Sequence, residues 1–157
     1  MQKSRGESIS RGKISMFHVK DLMTKKIFSV QETDNLLTAR QLMDMARIRH
    51  IPVVGPKSEF IGLVTHRDIL GATISRLAEI DETTQNEIDA GIPIKEIMRA
   101  DVTTVAPDDT LRDAADILLH HKYGCLPVVQ DGKLVGIITE ADFLRLTINL
   151  MDALEKE

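Results

Sequence analysis

Hydrophobic and polar positions along the chain follow one order of patterns twice. In each case a short run rich in β-branched residues precedes apolar residues at helical spacing, two further apolar runs and the start of another helix. The first set occupies residues 27–30, 36–46, 51–54, 60–65 and 66 onward. The second set occupies residues 102–105, 111–121, 126–129, 134–139 and 140 onward. The chain is therefore predicted to contain two β-α-β-β-α units.

The first helix of each predicted unit has an apolar face and a polar residue that marks its start. Asn35 and Thr110 stand immediately before the two helices, and their side chains are of the kind that cap helix N-termini. The apolar face of the earlier helix consists of Leu36, Ala39, Leu42, Met43 and Ala46. The aligned positions of the later helix are Leu111, Ala114, Ile117, Leu118 and His121. This spacing predicts that His121 lies on the buried face.

The two predicted units also align residue by residue. Residues 19–54 match residues 94–129 at a constant shift of 75 without a gap, and one deleted residue then aligns 60–70 with 134–144. A repeat of this length is one structural unit that occurs twice. The fold class is thus α/β in the broad sense (α+β). The predicted boundaries are a disordered basic leader at 1–16, repeat 1 at 17–72, a linker with a helix end at 73–93, and repeat 2 with the C-terminal helix at 94–157.

Composition and charge exclude several functional classes. No apolar run reaches the roughly 18 to 20 residues of a membrane-spanning helix, and no secretory signal is evident, so we expect a cytoplasmic protein with no membrane partner. Cys125 is the single cysteine, which rules out an intrachain disulfide. The net charge of −4 is uneven: residues 1–16 carry +3, residues 17–80 carry +2 and residues 81–157 carry −9. Nucleic acid is an unsuitable partner for this acidic second half.

Each repeat contains one short motif with two polar residues at fixed spacing. "GLVTHRD" gives Thr65 and Asp68, and "GIITEAD" gives Thr139 and Asp142. Taken singly, Thr-x-x-Asp at a helix start is typical of a capping box, in which hydroxyl and carboxylate satisfy free backbone amides. Its repetition after "IPVV" and "LPVV" adds a second interpretation.

Tandem units with h-P-V-V followed by G-h-h-T-x-x-D resemble a pair of CBS domains, also called a Bateman module, over residues 19 to about 150. The tail beginning "GCLPVV" is similar to the acetoin-utilisation protein B type of small bacterial CBS proteins. This resemblance implies two repeats packed about a pseudo-two-fold axis, ligand clefts between them, and a flat homodimer. It also implies regulation without catalysis.

The resemblance implies a role for both motifs in ligand binding. Asp68 and Asp142 would accept hydrogen bonds from ribose hydroxyls, while Thr65, Thr139 and the nearby helix amides would face phosphate. The basic residues of repeat 1 would contact phosphate, whereas the second site would be weaker, empty or suited to an uncharged nucleoside. These basic residues are Arg49, His50, His66 and Arg67. The alternatives are a solvated basic face and helix caps beside empty clefts.

The base of the ligand would lie against the first strand and the h-P-V-V strand, as the resemblance implies. The candidate residues are Ile27, Val30, Val53, Val102 and Val128. Simple core packing is the alternative for all of them. His120, His121 and Cys125 lack a fourth ligand at zinc-like spacing, so neither a metal site nor a catalytic cysteine is indicated.

The leading hypothesis is a non-enzymatic module that binds an adenine nucleotide (AMP, ADP or ATP) or an adenosyl compound as a regulatory ligand. It requires no cofactor, forms a homodimer and signals to an unknown effector protein. Pairing is suggested by the apolar residues of the terminal helix, which are Phe143, Leu144, Leu146, Ile148, Leu150, Met151 and Leu154. The alternatives are an interaction module with vestigial ligand sites and, more remotely, a small metal-dependent hydrolase.

Overall fold

The computed structural model describes residues 17–72, 80–121 and 124–156. Its elements, in chain order, are α1 (Val19–Leu22), α2 (Leu36–Ala46), β1 (His50–Val54), β2 (Phe60–Thr65), α3 (His66–Ala72), α4 (Glu82–Ala90), α5 (Ile94–Ile97), α6 (Leu111–His120), β3 (Cys125–Gln130), β4 (Lys133–Thr139) and α7 (Glu140–Glu155). Strands β1 and β2 pair in one sheet, and β3 and β4 pair in another. The mixed fold class is confirmed, and each repeat has the predicted helix, two strands and second helix in that order.

The chain divides into two compact units, and each unit draws on both sequence repeats. The Asp68 unit consists of the described residues among 27–103 together with 131–134, and therefore includes α5 from the start of repeat 2. The Asp142 unit consists of the described residues among 1–26, 104–130 and 135–157, and includes α1 from the start of repeat 1.

The Asp68 unit is built on an amphipathic helix above a hairpin. Helix α2 begins where the Asn35 side chain accepts a 2.9 Å hydrogen bond from the Thr38 backbone N–H. Its apolar face packs on β1 and β2, whose antiparallel register sets Ile51 opposite Val64. The core consists of Val30, Leu36, Ala39, Met43, Ile51, Val53, Val64, Ile69 and Ile94.

The Asp142 unit repeats this construction. Thr110 caps α6 by accepting a 3.1 Å hydrogen bond from the Asp113 backbone N–H. The Val19 backbone N–H donates to the carbonyl of Asp109 at 2.8 Å, which ties α1 to the turn before α6. The core consists of Val19, Val105, Leu111, Ala114, Leu118, Leu126, Val128 and Ile138.

The first strand of each predicted unit is reduced to one bridging residue. Val30 forms a parallel bridge with Val53, and Val105 forms the same bridge with Val128. Each residue makes two backbone hydrogen bonds to its partner strand, at 3.0 and 2.9 Å for Val30 and at 3.1 and 2.8 Å for Val105. In each repeat, the segment before the first helix therefore pairs with the h-P-V-V strand through this one residue.

One expectation from the sequence is wrong. His121 does not lie on a buried helix face, because α6 ends at His120 and His121 is an exposed, extended cap residue. The predicted linker also contains a helix that was not predicted, because residues 82–90 form α4. The Asp81 side chain caps α4 by accepting a 2.7 Å hydrogen bond from the Thr84 backbone N–H.

The predicted leader at 1–16 and the beginning of the predicted linker at 73–79 lie outside the described residues. Within the described ranges, no helix combines the length and hydrophobicity needed to cross a membrane.

Candidate functional site

The Thr65-x-x-Asp68 motif joins the end of β2 to the first turn of α3. The Asp68 carboxylate oxygen Oδ2 accepts hydrogen bonds from the Thr65 backbone N–H at 2.9 Å and from the Thr65 hydroxyl at 2.8 Å. The Asp68 backbone N–H in turn donates to the Thr65 hydroxyl oxygen at 3.2 Å. This reciprocal arrangement is a capping box, and it holds a largely buried carboxylate at the N-terminus of a helix.

The other oxygen of Asp68 is occupied by Arg99, which was not predicted from the sequence. The Arg99 Nε and Nη2 atoms both lie 2.9 Å from Asp68 Oδ1. The Arg99 backbone pairs with Leu63 of β2 through hydrogen bonds of 2.9 and 2.8 Å. A side chain at Gly62 would meet the Arg99 carbonyl oxygen at 2.6 Å, so glycine permits this close approach.

The Thr139-x-x-Asp142 motif has the same geometry in the other unit. Asp142 Oδ2 accepts from the Thr139 backbone N–H at 2.8 Å and from its hydroxyl at 3.3 Å. The arginine that pairs with Asp142 comes from a different place than the one that pairs with Asp68. The exposed Arg145, one turn along α7, donates from Nη2 to Asp142 Oδ1 at 2.8 Å. The position equivalent to Arg99 is Thr24, whose backbone pairs with Ile137 just as Arg99 pairs with Leu63.

The basic residues predicted for repeat 1 lie on both sides of one hairpin end. His50 is paired with Thr65 in the register of β1 and β2, and the Arg49 carbonyl accepts a 2.8 Å hydrogen bond from the His66 backbone N–H. The side chains of Arg49, His66 and Arg67 are exposed, and His50 is half-buried. In repeat 2 the acceptor equivalent to Arg49 is Gly124, at φ 70° and without a side chain.

A small pocket within the Asp68 unit contains one of these predicted residues. Its volume is about 100 Å³, and its lining consists of Arg40, Met43, Asp44, His66, Ile69, Leu70 and Gln85. The Arg40 Nη2 atom lies 3.1 Å from Oδ2 of the fully buried Asp89. The Gln85 Nε2 atom donates a 2.7 Å hydrogen bond to Oδ1 of the same carboxylate. The pocket therefore has a fixed polar wall on the side of α4.

The predicted base-binding residues are mostly core. Val30, Val53 and Val128 belong to the two hydrophobic cores, whereas Ile27 and Val102 are half-buried. The packing that the sequence left as an alternative is thus present for three of the five.

The residues considered for metal binding or catalysis do not come together. Burial raises the pKa of the Cys125 thiol to about 12, which leaves it protonated at neutral pH. His120 is exposed, and its Nδ1 lies 2.8 Å from the Asp116 carbonyl oxygen. Across residues 17–72, 80–121 and 124–156, no group of three or more His, Cys, Asp or Glu side chains is placed to hold a metal ion.

Comparison with known proteins assigns both repeats to one family. The family model described as the CBS domain matches residues 19–75 and 94–149. A crystal structure described as an acetoin utilization protein (AcuB) from Vibrio cholerae is 37% identical, covers 90% of this chain and 98% of that one, and superposes with a TM-score of 0.76.

Two similar crystal structures contain ligands. CBSX2, a CBS-pair protein from Arabidopsis thaliana, was solved in complex with AMP; it is 27% identical with a TM-score of 0.72, over 86% of this chain and 98% of that one. The CBS domain pair of protein MJ0100 was solved with 5-methylthioadenosine and S-adenosyl-L-methionine; it is 26% identical with a TM-score of 0.69, over 85% and 98%.

Curated relatives differ in length. Protein MJ1225 of Methanocaldococcus jannaschii is 28% identical over 82% of this chain, and the chain spans 42% of it. The homoserine O-acetyltransferase of Methanococcoides burtonii is 31% identical over 82% of this chain, which spans only 24% of that enzyme. The CBS domain-containing protein YhcV of Bacillus subtilis is 30% identical, with 87% of each chain covered.

Proposed function

Since the chain belongs to the CBS-domain family, we propose that it is a non-enzymatic regulatory module that binds an adenine nucleotide or an adenosyl compound. Support comes from similar CBS pairs, one crystallised with AMP and one with 5-methylthioadenosine and S-adenosyl-L-methionine. These ligands share an adenosine group. We take that group as the part of the ligand that this chain recognises.

The observation that carries the proposal is the duplicated capping box. Asp68 and Asp142 each hold a carboxylate in the first turn of a helix, beside a threonine hydroxyl. An ionised carboxylate accepts hydrogen bonds from two ribose hydroxyls, and a helix N-terminus attracts phosphate. We assign the ribose to Asp68 and Asp142, and the sugar-phosphate side to Thr65 and Thr139.

We assign the phosphorylated ligand to the Asp68 unit. Arg49, His50, His66 and Arg67 supply cationic or titratable groups at one hairpin end. The aligned residues of repeat 2 are Gly124, Cys125, Glu140 and Ala141. The Asp142 site is therefore expected to be weaker, empty or suited to an uncharged nucleoside. The base is assigned to Ile27, Val30, Val53, Val102 and Val128.

The output of the module is proposed to be a change in its association with other chains. Helix α7 exposes Leu144, Ile148, Leu150, Met151 and Leu154, whereas Phe143 and Leu146 pack on the core. We propose that this apolar face pairs two copies of the chain in the cytoplasm. A ligand regulates by favouring one arrangement over another, which requires different affinities for the two. An effector protein would detect the difference.

Thermal unfolding with AMP, ADP, ATP and S-adenosylmethionine tests the proposal. A ligand at one hundred times its dissociation constant adds about 2.7 kcal/mol and raises Tm by roughly 5 to 10 °C. Asp68→Ala should abolish the shift with AMP, ADP and ATP, and Asp142→Ala should leave most of it, each measured against its own ligand-free Tm. Asp34→Ala and Asp109→Ala are matched controls, because each removes one carboxylate bond to a backbone N–H (2.7 and 2.8 Å) outside the motifs.

One observation favours a second candidate, an interaction module with vestigial sites. Both motif carboxylates already have hydrogen-bond partners within their own units, so helix capping alone accounts for them. Absence of a shift with every nucleotide would select this second candidate.

A further inference from the structure

We propose that Arg99 competes with the ligand for Asp68, so that binding at this site requires release of the Arg99 guanidinium. The inference rests on the proposed function, because it concerns the carboxylate assigned to ribose. Arg99 then sets the affinity of the Asp68 site for its ligand.

The acceptor positions of the Asp68 carboxylate are already occupied. A carboxylate offers about four acceptor positions. At Asp68, Oδ2 takes two donors from Thr65 and Oδ1 takes two donors from Arg99, all within 2.8 to 2.9 Å. Two ribose hydroxyls find no acceptor position left. One set of donors must leave before they bind.

Arg99 is the donor that yields. The Thr65 backbone N–H and hydroxyl belong to the capping box of α3, and breaking that box exposes the end of a helix. The Arg99 side chain is 41% exposed, so water can solvate its guanidinium when it leaves, and the ribose hydroxyls then take its place on the largely buried Asp68 carboxylate. The Arg99 backbone stays in place meanwhile, because it is paired with Leu63 of β2.

The other unit lacks this competitor at the equivalent position. Thr24 occupies the place of Arg99, with the same backbone pairing to β4. Asp142 Oδ1 takes one donor, from Arg145, whose side chain is 68% exposed. The competition by two donors from a distant segment is therefore particular to Asp68 among the two motifs described.

Calorimetric titration with adenosine and AMP tests the inference in wild type and Arg99→Gln. Adenosine carries no phosphate, so loss of the cation does not weaken its attraction to the site. Arg99→Gln should bind adenosine about three- to tenfold more tightly, which is the range expected for losing a partly exposed ionic contact. Arg99→Lys should fall between the two. Lys95→Gln, which removes an exposed charge from α5, should bind like wild type.

The gain must also depend on Asp68. In the double variant Arg99→Gln with Asp68→Ala it should disappear, and a gain that persists there would overturn the inference. Equal or weaker binding of both probes by Arg99→Gln, with wild type binding either of them, would overturn the inference and leave the proposed function standing. If wild type and all variants bind neither adenosine nor AMP, the proposed function fails and the inference with it.

Discussion

The Asp68 unit and the Asp142 unit share several backbone elements and carry different charges around their motifs. Both have a capped amphipathic helix, a hairpin, a one-residue parallel bridge and a Thr-x-x-Asp capping box. Arg49 and Arg99 in one unit are replaced by Gly124 and Thr24 in the other. The difference teaches that the packing of a repeat is specified by its core and caps, whereas its chemistry is specified by a few exposed positions that packing leaves free to vary.

The largest expected difference between the units concerns the two strand glycines. In Gly62→Ala the new Cβ meets the backbone carbonyl of Arg99 at 2.6 Å, whereas in Gly136→Ala it meets the Met23 Sδ atom at 2.5 Å. The Arg99 carbonyl cannot move away easily, because the Arg99 backbone is hydrogen-bonded to Leu63. The Met23 side chain can rotate to make room. We expect Gly62→Ala to lower the free energy of unfolding by about 1–3 kcal/mol and Gly136→Ala by about 1 kcal/mol or less. Urea denaturation measures both.

The two glycine variants control for one another, because the conformational entropy lost from the unfolded chain is alike in both. Equal losses would show that the close approach of Arg99 to β2 is no tighter than that of Met23 to β4.

The next effect concerns phosphate binding at Arg49. Its exposed guanidinium stands where repeat 2 has Gly124. Arg49→Ala should weaken AMP binding by about tenfold, as expected for a charge-assisted contact to phosphate. Adenosine binding should be unchanged, because adenosine has no phosphate. Lys57→Ala, at an exposed turn of the same unit, is the control. Unchanged AMP affinity in Arg49→Ala would refute the assigned role.

The caps of α2 and α6 should be equivalent. Asn35 accepts from Thr38 at 2.9 Å and Thr110 accepts from Asp113 at 3.1 Å. Asn35→Ala and Thr110→Ala should each cost about 1 kcal/mol of unfolding free energy. Gln41→Ala, exposed within α2, is the control, and chemical denaturation is the measurement. A difference above about 1 kcal/mol between the two cap variants would contradict the equivalence of the two caps.

The smallest expected effect concerns the pKa values of two exposed carboxyls, Asp81 in the Asp68 unit and Asp108 in the Asp142 unit. Hydrogen bonds from Thr84 lower the pKa of Asp81 below its ordinary value of 3.8, and the hydrogen bond and charge of Lys20 lower the pKa of Asp108. A lowered pKa in the folded state stabilises it above about pH 3.8, and this contribution is lost as pH falls through the folded-state pKa. NMR titration should show that added salt raises the pKa of Asp108 more than that of Asp81.

Lys20→Ala should likewise bring the pKa of Asp108 back toward 3.8 and leave Asp81 unchanged. Equal salt responses for the two carboxyls would show that charge attraction adds nothing at Asp108.

Much of the fold was predictable because local patterns and tertiary packing agree. The repeat, the caps Asn35 and Thr110, the hairpins and both helix starts after Thr65 and Thr139 follow from residue type and spacing. Helix α4 was missed because it lacks an apolar stripe: its single buried residue is Asp89, which is paired with Arg40 of α2. Only the Asp81 cap signal was available.

The candidate site was predictable in part. The motif residues lie at helix N-termini as their spacing indicates, and the hairpin register brings His50 opposite Thr65. The contact of Arg99 with Asp68 has a separation of 31 residues and depends on a backbone pairing with β2, which no local pattern encodes. The one available signal was the change from Thr24 to Arg99 at equivalent repeat positions.

The division of each repeat between two compact units has a consequence for synthesis on the ribosome. The Asp68 unit draws nearly all its residues from one continuous stretch, 27–103, so it can close while the rest of the chain is still being made. The segment 17–26 leaves the ribosome earlier, yet its partners follow residue 103. Segment 17–26 can therefore pack only after residues beyond 103 have been made. Its packing closes a long loop that contains nearly all of the Asp68 unit, and closing a long loop is entropically costly. The unit whose first residues emerge earliest is thus the last to be completed.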